Sequence, residues 1–238
     1  MRDLPRNQFK AALADMRVVH GVWCQIGDTA VAEMIAGAGF DWMLFDTEHS
    51  PLNTTSILPL VQAAAAWPVS VLVRPASLNV ADIKKILDLG VQTILIPMIQ
   101  NADEAALAVA AVTYPPEGIR GVAGATRASG FGRIPGYHRR ARDEICLLVQ
   151  VETVEAVAQI EAIAAVPGID GIFVGPADLA ASMGYPGEPG HPEVRAAVVD
   201  AIRRIRAAGK PPGILTPDPA LFEAACAAYA RSVRPGGL

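Results

Sequence analysis

Short runs of consecutive apolar residues alternate with longer stretches whose apolar positions recur at helical spacing, along almost the whole chain. Runs rich in β-branched residues, with no polar partner on alternate positions, read as strands buried on both faces, the habit of parallel sheets. The pattern predicts an opening helix over 7–16. It then predicts strands at 18–25, 42–47, 69–74, 93–99, 145–152, 171–175 and 213–216. Helices over 29–38, 54–66, 80–89 and 102–112 follow the first four, and helical patterns follow the other three. Regular strand–helix alternation implies parallel strands joined by right-handed crossovers. Seven clear units and a candidate eighth favour an α/β fold of the (β/α)8 TIM-barrel class over a doubly wound sheet. The 238 residues are read as a single domain, close to the roughly 250 that one such barrel needs.

Two segments depart from the rhythm. Residues 114–142 form a long insertion carrying Gly118, Gly121, Gly124, Gly130, Gly132 and Gly136, and loops of this length in compact domains are usually functional or mobile. The tail Arg231-Ser232-Val233-Arg234-Pro235-Gly236-Gly237-Leu238 sits where an eighth strand belongs, yet Pro and Gly oppose a buried strand. The eighth strand is therefore expected to be atypical or incomplete.

Composition narrows the classes. Hydrophobic residues make up 52% of the chain, enough for a large core, and mean hydropathy is +0.32. No uncharged apolar stretch approaches the ~18 residues of a membrane span, and the first residues lack the apolar core of a signal peptide. A cytoplasmic protein without a membrane partner is expected. The net charge of −4 and scattered basic residues argue against nucleic acid. Cys24, Cys146 and Cys226 show no metal or redox spacing and are expected to be buried or half-buried apolar residues.

Candidate chemistry gathers where strands end, the active face of an α/β barrel. Glu152 and Asp178 each follow an apolar run, one strand–helix unit apart. Two hard oxygen ligands suit Mg²⁺ or Mn²⁺, with open positions for a bidentate substrate. Each acid equally suits a helix cap or first turn. Asp46-Thr47-Glu48-His49-Ser50-Pro51 follows the second strand, and its histidine is suited to proton transfer near neutral pH. Arg74 ends the third strand. It either stabilises an enolate oxygen or pairs with Asp46 or Glu48, or both. Asp88 is a candidate acceptor for an imidazole N–H, or a solvated helix-end acid. Gln150 lies two positions before Glu152, on the same face of a regular strand. Gly175 allows close backbone approach, and amides near Ala177 and Asp178 could receive a carboxylate. Trp23 walls a pocket or fills the core. The lysines are Lys10, Lys84, Lys85 and Lys210; none is predicted near the end of a strand, which disfavours imine chemistry.

Several ordered motifs together resemble the HpcH/HpaI family of metal-dependent pyruvate aldolases, which includes 4-hydroxy-2-oxoheptanedioate aldolase. The resemblance runs from Gly21 to Leu215. It rests on Gly39-Phe40-Asp41-Trp42 leading to the Asp46–Pro51 motif, Val73-Arg74-Pro75, Ile86-Leu87-Asp88-Leu89-Gly90 and Gly118-Ile119-Arg120-Gly121. It continues through Val149-Gln150-Val151-Glu152-Thr153, Phe173-Val174-Gly175-Pro176-Ala177-Asp178-Leu179, Ser182-Met183-Gly184 and Gly190-His191-Pro192. The resemblance implies a phosphoenolpyruvate/pyruvate-type barrel and aldol cleavage of 4-hydroxy-2-oxo acids to pyruvate, or a related 2-oxo acid, plus an aldehyde. Glu152 and Asp178 would ligate the divalent metal, Mg²⁺ or Mn²⁺ with Co²⁺ as a third candidate. Trp23, Gln150, Gly175, Pro176, Ala177 and Leu215 would line the substrate. Arg74 would stabilise the enolate, His49 oriented by Asp88 would move protons at the aldol hydroxyl, and Asp46 would shape the site. A trimer-based homo-oligomer, often a hexamer, and a place in the breakdown of aromatic compounds are also implied. The tail lacks the family's usual C-terminal strand. Rival readings are a citrate-lyase-like or malyl-CoA-lyase-like enzyme, and a non-catalytic oligomeric binder of 2-oxo acids.

Overall fold

The computed structural model describes residues 3–231, and all of the tail expected to hold an eighth strand except Arg231 falls outside them. The described chain carries seven parallel strands, neighbours in sequence being neighbours in the sheet. An eight-stranded barrel is therefore not what these residues display. They divide into two compact units, residues 3–97 with Leu107–Leu147, and Met98–Ala106 with residues 148–231.

The first unit runs α1 (Gln8–Ala14), β1 (Gly21–Cys24), α2 (Thr29–Ala36), β2 (Trp42–Asp46), α3 (Thr54–Ala64), β3 (Ser70–Arg74), α4 (Val80–Asp88) and β4 (Thr93–Ile96). Its helices begin where the sequence supplies short polar acceptors. Asp28, Asn53 and Asn79 each accept two first-turn backbone N–H groups, which would otherwise be orphaned at a helix start. The strands are shorter than their apolar runs because register limits pairing; β1 pairs with β2 only from Gly21 to Cys24. Met43, Leu44 and Phe45 of β2 have no exposed surface, as expected of a strand covered on both faces. In register, the last residue of β2 meets the last of β3, Asp46 beside Arg74.

After α5 (Ala102–Val112), the insertion is not a featureless loop. Pro115-Pro116 is joined by a cis peptide, Thr126 to Ile134 close a series of backbone turns, and α6 (Tyr137–Glu144) precedes β5 (Cys146–Val151). The fully buried Arg120 lies over the Tyr114 ring at 4.4 Å.

The second unit continues through α7 (Val154–Ala158), α8 (Ile160–Ala164), β6 (Gly171–Val174), α9 (Pro176–Ser182), α10 (Pro192–Ala207), β7 (Pro212–Ile214) and α11 (Pro219–Arg231). β5 pairs with β6, and β6 with β7. Thr153 caps α7 through its side chain, and Pro176 and Pro192 occupy helix starts, where a missing N–H costs nothing. One expectation fails here. Cys24 and Cys146 are buried, but Cys226 is exposed. On α11 the covered positions are Leu221, Ala225 and Ala228, a helical stripe that leaves Cys226 on the opposite face.

No helix among the described residues is long and apolar enough to cross a membrane.

Candidate active site

Two groups of polar side chains stand at strand ends, one in each unit. The first is centred on Asp46, which has no exposed surface. Its two oxygens accept a forked pair of bonds from Arg74, Nε to Oδ1 at 2.9 Å and Nη2 to Oδ2 at 2.7 Å. Trp23 Nε1 and Gln25 Nε2 each donate to Oδ2 at 3.2 Å. The backbone N–H groups of Glu48 and His49 donate to Oδ1 at 3.0 and 3.4 Å, and the Ser50 hydroxyl donates to the Asp46 carbonyl. Burial pushes the Asp46 carboxyl up, but the hydrogen bonds and charge of Arg74, with the Glu48 N–H and Gln25 amide, outweigh it and hold the group down at about 2. Asp46 is therefore a fixed anion that shapes the turn after β2 and clamps Arg74.

Arg74 is itself buried. Glu48 Oε2 lies 2.8 Å from its Nη1, and the Trp23 ring lies 5.0 Å from its guanidinium carbon. Its carbonyl accepts from both the N–H and the hydroxyl of Thr47. The ion pairs weighed as an alternative to a catalytic role are thus present, and they fix the fork in place. Trp23 likewise serves two ends, half-buried yet bonded to Asp46. The His49 side chain is 60% exposed, with Nε2 3.8 Å from Glu48.

Asp88 has a partner the sequence did not point to. It does not hydrogen-bond His49; its Oδ1 accepts from Arg120 Nη2 at 2.8 Å. The reason is electrostatic. Arg120 has no exposed surface, and Asp88 is its ion-pair partner, so this carboxylate is committed to a buried cation. Nothing in the apolar periodicity around Asp88 announced a partner in the distant insertion.

The second group lies at the ends of β5 and β6. Gln150 and Glu152 are both buried, and the Gln150 amide donates to Glu152 Oε2, as two positions on one strand face require. Glu152 Oε1 accepts from the Met98 N–H at 2.8 Å. Met98 has φ +56, an uncommon conformation for a non-glycine residue, and sequence reading gave no sign of its role. Gly175 comes so close that a Cβ there would lie 2.2 Å from Glu152 Oε2 and 2.8 Å from Gln150 Nε2. Pro176, Ala177 and Asp178 form the first turn of α9, which no side chain caps. Asp178 is exposed there, as is Leu215 after β7.

Among the described residues, no three or more His, Cys, Asp and Glu side chains gather as a metal site. The acids Glu152 and Asp178 nonetheless fit a hard divalent cation. Both are oxygen donors, Gln150 and Met98 hold one of them by hydrogen bonds, and glycine at 175 lets the backbone approach its carboxylate closely. So small a donor set leaves coordination positions to water and substrate, as Mg²⁺ prefers.

Comparisons with known proteins identify the family. Residues 20–231 match the family model described as HpcH/HpaI aldolase/citrate lyase. A pyruvate aldolase of Rhizobium etli is 54% identical over 236 residues, covering 99% of this chain and 92% of that protein. A 4-hydroxy-2-oxo-heptane-1,7-dioate aldolase of Salmonella dublin is 53% identical over 217 residues, covering 91% of this chain and 82% of that one. The crystal structure of an HpcH/HpaI aldolase/citrate lyase family protein from Burkholderia cenocepacia superposes with a TM-score of 0.90 at 37% identity, over 93% of this chain and 89% of that chain. With the family motif spanning both groups of side chains, the chain belongs to the HpcH/HpaI aldolase/citrate lyase family, a family of carbon–carbon lyases.

Proposed function

We propose that this chain is a divalent-metal-dependent aldolase that reversibly cleaves 4-hydroxy-2-oxo acids to pyruvate, or a related 2-oxo acid, and an aldehyde. The observation that carries the reading is the approach of Gly175 to Glu152. The backbone passes so close to this buried carboxylate that only glycine is tolerated at 175, which sets the acid directly against main-chain groups where β6 gives way to α9. Glu152 and Asp178 would hold Mg²⁺ or Mn²⁺, and Co²⁺ is a third candidate. When bound, such a cation supplies Lewis acidity at the 2-oxo group. Gln150, Gly175, Pro176, Ala177 and Leu215 are assigned to substrate contact, with uncapped first-turn N–H groups of α9 available to a carboxylate.

His49 is assigned the proton of the C4 hydroxyl. Removing it lets the C3–C4 bond break, releasing the aldehyde and leaving an enolate. Arg74 is assigned the negative charge that develops on the enolate oxygen. Its fork is already oriented by Asp46, Glu48 and Trp23, so no reorganisation is needed when that charge appears. Asp46 is a positioning residue for Arg74. In the same reading the chain is one aldolase domain of the (β/α)8 class, working in the cytoplasm as a trimer-based homo-oligomer.

The test is pyruvate release from a 4-hydroxy-2-oxo acid by chelated and metal-reconstituted protein. Chelation should abolish cleavage, and Mg²⁺, Mn²⁺ or Co²⁺ should restore it. Full activity of the metal-free protein would end this mechanism. Cleavage of citrate or a malyl thioester in preference to the hydroxy-oxo acid would shift the reading to the citrate-lyase branch.

A further inference from the structure

The first unit contains a cavity of about 690 Å³ that the proposed chemistry does not use. It opens where β3 and β4 begin, with Ser70, Val71 and Thr93 in its wall. Arg74 ends the strand that Ser70 begins, four residues or roughly 13 Å further along.

Its chemistry is unlike the rest of the chain. The protein has 24 acidic and 20 basic residues. The cavity is lined by Arg6, Arg127 and Arg133 and by no Asp or Glu. Among the described residues neither Arg6 nor Arg133 has an acidic partner; the Arg133 guanidinium donates only to the Gly130 carbonyl at 3.2 Å. Arg127 Nη1 donates to the Leu89 carbonyl at 2.6 Å, and the two exposed arginines, Arg6 and Arg133, raise the local positive potential in an anionic protein.

Aromatic surface faces the same space. Trp67 is 42% exposed and Phe131 63% exposed, and both line the cavity. Phe131 stands out in its backbone as well. It has φ +57, between Gly130 at +60 and Gly132 at +81. Bulky residues seldom adopt this conformation, and strain of this kind persists only where surrounding structure enforces it. Here backbone bonds from Phe131 N–H to the Thr126 carbonyl at 2.8 Å and from Gly130 N–H to the Arg127 carbonyl at 3.0 Å enforce it. One tight turn thus presents Arg127, an exposed phenyl ring and Arg133 to the cavity.

We infer that this cavity is a binding site for an organic anion with a planar apolar body, an aromatic carboxylate. Guanidinium forks match a carboxylate's two oxygens, and the rings of Trp67 and Phe131 offer stacking faces. The volume suits a small ligand. A bare inorganic anion would leave the aromatic walls unused.

The experiment is calorimetric titration of the purified full-length protein with 1-naphthoate, naphthalene-1-methanol and inorganic phosphate. 1-Naphthoate should bind with a Kd below about 1 mM, as expected of a ligand of this size. The neutral alcohol and phosphate should each bind at least about tenfold more weakly. Arg6→Gln and Arg133→Gln, at exposed positions, should each weaken naphthoate binding about fivefold to tenfold, the scale of one charge-assisted hydrogen bond. Phe131→Asp should weaken it further without changing the sedimentation coefficient. Absence of naphthoate binding, indifference to both arginine substitutions, or equal binding of the alcohol or phosphate would overturn the inference. So would dissociation of an oligomer by Phe131→Asp, which would make this face a contact between copies.

Discussion

Replacing Asp46 with Asn tests how the first group of side chains is held. The substitution keeps the shape and removes the charge, so it imitates the protonated acid. The carboxyl is held at about 2 against 3.8 for an unperturbed one, close to two pH units. At about 1.4 kcal/mol per pH unit, the folded state gains about 2–3 kcal/mol from ionised Asp46. A carboxyl depressed in the folded state stabilises above its unfolded value. That stability is fully present above about pH 4–5 and is lost as pH falls toward 2. Urea unfolding of wild type and Asp46→Asn should therefore differ by about 2–3 kcal/mol at pH 7. The difference should shrink progressively below pH 4. It will reach the larger 3–5 kcal/mol of a broken buried ion pair if Glu48 cannot compensate Arg74. Cleavage should also slow, because the Arg74 fork loses its two-point anchor. A difference below about 0.5 kcal/mol at pH 7, or one that stays constant down to pH 2.5, would refute the account of Asp46 as a buried anion clamping Arg74.

Further expectations address the proposed roles one residue at a time. Gly175→Ala puts a methyl 2.2 Å from Glu152 Oε2, so Mn²⁺ affinity measured by titration should fall at least about tenfold while circular dichroism stays unchanged; unaltered affinity would remove Glu152 from the metal site. Arg74→Lys retains charge but loses the fork, and kcat should drop about 10²-fold, as for a lost oxyanion donor; near-normal turnover would reduce Arg74 to a structural ion-pair partner. His49→Ala should slow aldol cleavage by about 10²–10⁴-fold and impair deuterium exchange into pyruvate far less, whereas equal losses would place His49 in enolate formation. Asp88→Asn should cost about 3–5 kcal/mol of stability by stranding buried Arg120 and leave the pH profile of cleavage unmoved; a shifted profile would restore a link to His49.

What the sequence determined by itself was local. Apolar runs located the seven strands and helical spacing the first helices to within a few residues, since both depend on neighbours along the chain. The two-residue period likewise set Gln150 and Glu152 on one face, where they bond. Tertiary structure decided the pairings. Arg74 meets Asp46 across 28 residues because register sets the ends of β2 and β3 together. Asp88 meets Arg120 across 32, and an N–H from Met98, 54 residues away, holds Glu152. The exposed face of Cys226 and the acid-free cavity belong to the same class. Periodicity says which way a side chain points on its own element, but a buried charge goes to whichever partner the packing of distant segments brings within hydrogen-bonding reach.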